Sequence, residues 1–160
     1  MRIMGIDPGI ARTGWGVIEE IQNSKFKIQN YGCIETSPKD KIQNRLEKIH
    51  NEIIRIIKVY APDEMAVEEI FFNTNAKTAF IVGQARGVVL LTAAQQKLPI
   101  ATYTPLQVKI AVTGYGRAEK QQVGKMVKNI LLLKDIPRLD DTTDALAIAI
   151  THAFSIRLSS

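Results

Sequence analysis

Hydrophobic and polar positions follow two different periods along this chain, and together they predict a mixed α/β fold. Short apolar runs bounded by turn residues predict five strands, at residues 2–7, 14–18, 25–35, 64–69 and 100–103. Apolar residues that recur every three or four positions predict five helices, at residues 39–60, 75–97, 106–112, 120–133 and 141–156.

The order of these elements predicts how the strands pair. Three strands precede the first helix, and residues 22–24 form a predicted turn between the second and the third. Short connections of this kind join antiparallel strands, whereas strands that alternate with helices pair in parallel. The chain has no internal repeat or long linker. We therefore predict one domain over residues 1–160, with a mixed sheet flanked by helices.

Composition narrows the class of protein. The 160 residues are 46% hydrophobic, which suits a soluble domain with a sizeable core. No apolar run approaches the roughly 20 residues that span a bilayer, and Asp7 and Pro8 arrive too early for a signal peptide. The one cysteine, Cys33, cannot form an internal disulfide and is a predicted small core residue. A single cysteine with the distant His50 and His152 does not suit zinc.

Positive charge is concentrated in one segment. The net charge is +5, and residues 109–138 contain seven basic residues against two acidic ones, whereas the remainder is balanced. This segment, which includes a predicted flexible loop at residues 114–116, favours a polyanionic partner such as nucleic acid. The alternative is an ordinary solvated helix face, for which lysine is a common residue.

Four carboxylates occupy positions that suit a metal site. Asp7 and Glu68 each end an apolar strand, and Asp141 and Asp144 share one face at the start of an apolar helix. Two strand ends and one helix start can bring these groups into one crevice. Clustered carboxylates repel one another unless a cation neutralises them, and hard oxygen ligands suit Mg²⁺ or Mn²⁺.

These acidic residues also have structural interpretations. Residues 7–9 form a good turn sequence. Glu69 points to the face opposite Glu68, so spacing alone does not decide which of the two faces the site. Acidic residues at a helix start cap free N–H groups, which stabilises a helix by about 0.5–2 kcal/mol. Helix capping explains Asp144 less well, because this residue lies within an otherwise apolar helix.

Several sequence segments carry a specific resemblance to a known family. In chain order they are GIDPG (5–9), TGWGVI (13–18), AVEEIF (66–71), GQARG (83–87), AEKQQV (118–123) and DTTDALAIAITH (141–152). On these segments, which are spread from residue 5 to residue 152, the sequence resembles the RuvC family of bacterial Holliday-junction resolvases. The first segment alone also resembles actin-like nucleotide-binding kinases.

The resemblance implies a fold, an activity and partners. The fold is α/β and RNase H-like, with a five-stranded mixed sheet whose first three strands are antiparallel, flanked by helices. The implied activity is symmetric nicking of two opposing strands of a four-way DNA junction by a homodimer in the bacterial cytoplasm, leaving 5′-phosphate and 3′-hydroxyl ends. The branch-migration proteins RuvA and RuvB are implied partners, and no membrane is involved. Residues 76–96 form the best candidate for the dimer interface, because that helix is more apolar than one buried face needs.

The resemblance also assigns the acidic residues. It implies that Asp7, Glu68, Asp141 and Asp144 hold two Mg²⁺ ions per subunit, for which Mn²⁺ can substitute, and it selects Glu68 over Glu69. The implied chemistry is two-metal hydrolysis of a phosphodiester.

Basic and aromatic residues complete the predicted site. Lys120 and Lys109 match basic positions that the family uses near the scissile phosphate, and Lys120 is predicted to neutralise charge in the transition state. Phe71 matches an aromatic residue placed against bases, with core packing as the alternative. Arg117 and Lys125, from the same basic segment, are predicted further DNA contacts.

Three other functions are consistent with parts of the sequence. Another nuclease of the RNase H-like fold, such as the ribosomal-RNA processing enzymes, would not prefer a four-way junction. An actin-like ATPase or kinase would need two lobes of this fold and would bind ATP. A catalytically silent junction-binding module would not need all four acidic residues.

Overall fold

The computed structural model describes residues 1–21, 25–69 and 75–159, and within these ranges the chain forms five strands and five helices. The strands are β1 Arg2–Asp7, β2 Arg12–Ile21, β3 Lys25–Glu35, β4 Glu64–Glu68 and β5 Ile100–Tyr103. The helices are α1 Ile42–Tyr60, α2 Ala76–Gln95, α3 Pro105–Thr113, α4 Lys120–Ile130 and α5 Asp140–Ser159. None of the helices in this part of the chain is long and apolar enough to cross a membrane. The predicted turn at residues 22–24 lies outside the described residues.

The strands form one mixed sheet in the order β3-β2-β1-β4-β5. β2 is antiparallel to both β1 and β3, whereas β4 is parallel to both β1 and β5. The predicted five-stranded mixed sheet, with its first three strands antiparallel, is therefore confirmed. Because β1 and β4 are adjacent and parallel, their carboxyl ends meet at one edge of the sheet, where open α/β sheets commonly bind ligands.

Seven of the ten elements differ from their predicted bounds by one to three residues at one or both ends, and three of these differences have clear local reasons. β2 is longer at both ends, because its polar terminal residues are also paired with β3. α1 begins three residues later, since Ser37 accepts hydrogen bonds from the backbone N–H groups of Lys39 and Asp40 in a turn. α4 ends at Ile130 because Leu132 adopts a left-handed backbone conformation with a φ of 52°.

Helices cover both faces of the sheet. On one face α3, α4 and α5 pack against strand residues such as Ile3 and Ala66. On the other face α1 and α2 pack against the alternate positions, including Met4 and Met65. Cys33 lies in β3, at the edge of the sheet, and is only partly buried. Its predicted place in the core is therefore wrong.

Glycine residues let α5 lie directly on β1 and β2. A Cβ atom on Gly5 would lie 2.0 Å from the carbonyl oxygen of Ala145, and one on Gly14 would lie 1.9 Å from the carbonyl oxygen of Asp141. Both distances are far shorter than van der Waals contact, so only a residue without a side chain permits this approach. The first turn of α5 is thereby held beside the end of β1.

Candidate functional site

Four acidic side chains from three elements meet where β1 and β4 end. Asp7 is the last residue of β1, and Glu68 is the last residue of β4. Asp141 lies in the first turn of α5, and Asp144 follows about one turn later. All four are partly buried, and the other three each act on the charge of Asp7. The structure thus brings together the four predicted carboxylates, which we call the acidic cluster.

Burial and mutual repulsion retain protons in the acidic cluster. Burial, followed by the charges of Glu68, Asp144 and Asp141, raises the pKa of Asp7 to about 8. Burial and then Asp144 also raise the pKa of Glu68, which shares a side-chain hydrogen bond with Asp7. A hydrogen bond between two carboxyl groups requires a proton on one of them. The cluster therefore needs additional positive charge to ionise fully near neutral pH.

Lys120 supplies part of that positive charge. Its ammonium nitrogen donates a hydrogen bond to the Asp144 carboxylate over 3.1 Å, although the two residues are 24 positions apart. Burial lowers the pKa of Lys120, but the charge and hydrogen bond of Asp144, together with the charges of Asp140 and Asp7, more than offset this effect. The pKa therefore lies above its ordinary value. Burial likewise raises the pKa of Asp144, against the opposing effect of the ammonium. Lys120 is thus held charged beside the carboxylates.

A pocket of about 310 Å³ opens onto this site. Its polar lining comes from Glu68, Asp144, Lys109 and Lys120, and apolar side chains of α3 and α4 complete the wall. Glu69, in contrast, is exposed outside the end of β4. The location of the two residues agrees with the choice of Glu68 over its neighbour. One pocket is therefore bordered by both acidic and basic groups.

The other predicted DNA-contacting residues that the structure describes are not among those that line this pocket. Arg117 is exposed in the connection between α3 and α4. Lys125 lines a separate groove with Tyr115 and Met126, so the structure does not bring it into the acidic pocket. Phe71 lies outside the described residues.

Arg12 borders the acidic cluster, although the sequence analysis did not single it out. Its guanidinium lies 4.0 Å from the Asp141 carboxylate and 4.0 Å from that of Glu35. The predicted second strand began at Gly14, whereas β2 begins at Arg12 and pairs this residue with Glu35. A correct strand boundary would have placed Arg12 at the same edge as Asp7.

The chemistry of the donor groups fits a hard divalent cation. Mg²⁺ and Mn²⁺ prefer carboxylate oxygens, and such an ion would offset the repulsion that raises the pKa of Asp7. Within residues 1–21, 25–69 and 75–159, no three His, Cys, Asp or Glu side chains are already arranged to hold a metal ion. The fit of the acidic cluster to a divalent cation therefore rests on its carboxylate donors and on its excess negative charge.

Comparison with known proteins identifies close relatives over the whole length. The family described as "Crossover junction endodeoxyribonuclease RuvC" matches residues 3–152. The RuvC protein of Caldicellulosiruptor saccharolyticus is 54% identical over 97% of this chain and 93% of its own length. That of Desulforamulus reducens is 57% identical over 96% of this chain and 93% of its own length.

Solved structures agree with the sequence relatives. Thermus thermophilus RuvC is 40% identical and superposes with a TM-score of 0.91, covering 99% of this chain and 97% of its own. The same protein in complex with a Holliday junction substrate gives a TM-score of 0.95, with 99% and 96% coverage. The yeast mitochondrial Holliday junction resolvase Ydc2, at 14% identity and a TM-score of 0.66, shares the fold. The chain therefore belongs to the RuvC family of crossover junction endodeoxyribonucleases.

Proposed function

We propose that this protein resolves four-way Holliday junctions during homologous recombination and DNA repair. It nicks two opposing strands symmetrically and leaves 5′-phosphate and 3′-hydroxyl ends, which a ligase can reseal. The observation that carries the proposal is the convergence of Glu68, Asp144, Lys109 and Lys120 on one pocket in a chain of this family. The junction complex of the Thermus relative supports the choice of substrate.

Two Mg²⁺ ions per subunit complete the site in this proposal, and Mn²⁺ can substitute for them. Asp7, Glu68, Asp141 and Asp144 would hold the ions, since carboxylates are the preferred donors. When bound, divalent cations lower the pKa of an attacking water and stabilise charge on the leaving oxygen. Because the pKa of Asp7 is raised to about 8, this residue must release its proton when a cation binds.

The lysines of the pocket act on the substrate phosphate. Lys120 already neutralises Asp144, and a cation at the cluster would free its ammonium to face the scissile phosphate. There it stabilises the negative charge that develops in the transition state. Lys109 lines the same pocket and orients the phosphate from α3. Arg117 and Lys125 contact the flanking DNA backbone, and Phe71 lies against bases near the crossover.

A homodimer fits the two equivalent strands that are cut. α2 is apolar on more than one face: Ala85 and Val89 are buried, whereas Phe80 and Leu91 are 69% and 57% exposed. Phe80 and Leu91 lie on one stripe with Gly83 and Gly87, and a Cβ atom added to either glycine would meet no other atom within 4 Å. An exposed apolar stripe with small residues allows two helices to approach closely, so α2 is the interface in our proposal.

Partners and location follow from family membership. We propose that RuvA and RuvB deliver the junction by branch migration and that the protein works in the bacterial cytoplasm, where its relatives' hosts keep their DNA. These proposals rest on the family and on the substrate.

Cleavage of a synthetic mobile four-way junction tests the function directly. Paired nicks that a ligase can reseal should appear with Mg²⁺ and should be absent with EDTA or with matched linear duplex. Cleavage of duplex or RNA at an equal rate would instead place the protein with other nucleases of this fold. Binding of the junction without cleavage would make it a binding module, and ATP binding would favour the actin-like alternative.

A further inference from the structure

A hydrogen-bonded group centred on the buried His152 links α5 to β4 and β5. His152 on α5 is only 5% exposed, and its Nε2 lies 2.7 Å from the Glu64 carboxylate at the start of β4. Its Nδ1 lies 2.8 Å from the hydroxyl of Tyr103 at the end of β5. An ionised carboxylate only accepts hydrogen bonds, so Nε2 carries the proton. Both ring nitrogens are thereby held by groups from two different strands.

The pair Glu64 and His152 lies on the same two elements, β4 and α5, as the pair Glu68 and Asp144 of the acidic cluster. Glu64 and Glu68 are four residues apart on one strand face, about 13 Å. His152 and Asp144 are eight residues apart on one helix face, about 12 Å. α5 therefore runs antiparallel to β4. The charges of Glu68 and Asp144 interact at one end, and Glu64 contacts His152 at the other.

Tyr103 connects the end of β4 that carries Glu68 with His152, which contacts the other end of the strand. It is the register partner of Glu68 in the parallel β4–β5 pair, and its hydroxyl extends back to His152. Its backbone carbonyl also accepts a hydrogen bond from Glu69, the residue that follows the strand. A shift of α5 along β4 would thus break contacts to both strands at once.

We propose that Glu64, His152 and Tyr103 are positioning residues that fix α5 axially on the sheet and so hold Asp144 opposite Glu68. Contacts through Gly5 and the alanines of α5 bring the helix close to the sheet. Apolar contacts between small residues are not directional, and they resist sliding weakly. Hydrogen bonds at both nitrogens of one buried ring are directional. The inference rests on the proposed function, because it assigns Glu68 and Asp144 a shared task.

The test compares metal binding with junction binding in variants of this group. We expect His152→Ala and Glu64→Ala to weaken Mn²⁺ affinity, measured by calorimetry without DNA, by about tenfold. Single-turnover cleavage at saturating Mn²⁺ should fall by about the same factor, because the cation-binding groups are displaced. Junction affinity in EDTA should stay unchanged. Glu64→Gln keeps an acceptor for the His152 N–H and should bind Mn²⁺ like the wild type.

Ile53→Ala provides the matched control for lost stability. Ile53 is fully buried on the opposite face of the sheet, among α1 and α2 side chains. If this variant lowers Mn²⁺ affinity as much as His152→Ala does at an equal loss of Tm, the group has only a structural role. Wild-type Mn²⁺ affinity in Glu64→Ala or Tyr103→Phe would overturn the proposal as well. Calorimetry needs no DNA, so this result is independent of whether the wild-type protein cleaves a junction.

Discussion

At the scale of single residues, Asp7 shows how environment changes the chemistry of a carboxyl group. Its neighbours along the chain form an ordinary turn sequence, but its side chain is partly buried beside three other acids. The resulting pKa of about 8 lies far above the 3.8 of an unperturbed aspartate. In our proposal, a proton and a divalent cation therefore compete for the Asp7 carboxylate.

We expect Asp7→Asn to reduce cleavage strongly while junction binding survives. The amide removes one negative donor from the cluster, whereas the lysines that we propose contact phosphate stay in place. The single-turnover rate with Mg²⁺ should fall by roughly 10²–10³-fold. Affinity for the junction, measured in EDTA by gel shift, should change little. Parallel losses of binding and cleavage would contradict this division of roles.

The raised pKa of Asp7 also predicts how stability depends on pH without metal. Between pH 4 and pH 8 the folded protein retains a proton that the unfolded chain releases. Stability falls with rising pH wherever the folded state binds more protons, so Tm in EDTA should decrease over this window. Asp7→Asn mimics the protonated form and should raise Tm in EDTA at pH 8 by about 5 °C, which corresponds to roughly 1–2 kcal/mol.

Thermal denaturation from pH 5 to pH 8.5 in EDTA measures both effects. Asp135→Asn, in the exposed loop before α5, serves as the control for the loss of one acidic residue. Excess Mg²⁺ should flatten the dependence in the wild type, since bound cations replace the proton. Equal slopes for wild type and Asp7→Asn in EDTA would show that Asp7 does not carry the proton.

At the scale of elements, the position of α5 decides whether the acidic residues meet. The helix supplies Asp141 and Asp144, yet its own sequence only indicates an apolar helix with an acidic start. Gly5 and Gly14 bring its first turns onto the sheet. The site is therefore as much a product of two glycines in the strands as of the acidic residues.

Gly14→Ala tests this close approach. The added methyl group would lie 1.9 Å from the Asp141 carbonyl oxygen, so the start of α5 must move. A displacement of about 1 Å in a catalytic group costs roughly 10²-fold in rate, and we expect that loss together with a lower Tm. Gly124→Ala is the control, because its methyl would meet Ile136 at 3.4 Å, which is ordinary contact. It should retain full activity, and equal activity in both variants would contradict the prediction.

At the scale of the whole molecule, one surface suits association of two copies. α2 buries one side against α1 and the sheet, while Phe80 and Leu91 face outward. In our proposal, a symmetric dimer covers this stripe and supplies one acidic cluster for each of the two strands that are cut.

We expect Phe80→Glu to shift the protein from dimer to monomer in sedimentation velocity at micromolar concentration, because the charge cannot be buried unpaired. The variant should lose coordinated cutting of the two strands and retain its Tm in the monomeric state. Val59→Glu, on an exposed position of α1, is the control for an added charge. A wild-type protein that sediments only as a monomer would remove α2 as the interface.

The sequence alone predicted the five strands and five helices in their order along the chain, and the acidic residues, because each has a local signal. Strand and helix periods depend on neighbouring positions, and an acid that ends an apolar run or opens an apolar helix is visible in a short window. The boundaries of β2, α1 and α4 were less accurate. The bounds of β2 depend on its pairing with β3, those of α1 on the hydrogen-bonded turn at Ser37, and those of α4 on the left-handed backbone of Leu132. Hydrophobic periodicity reveals none of these features.

Tertiary structure alone decided which groups act on one another. The contacts of Lys120 with Asp144, of Arg12 with Asp141 and of His152 with Glu64 join residues that are distant in the sequence. No local pattern encodes such pairs, because they depend on the position of one element relative to another. The pKa of Asp7 is a consequence of that arrangement, since burial and neighbouring charges exist only in the folded chain.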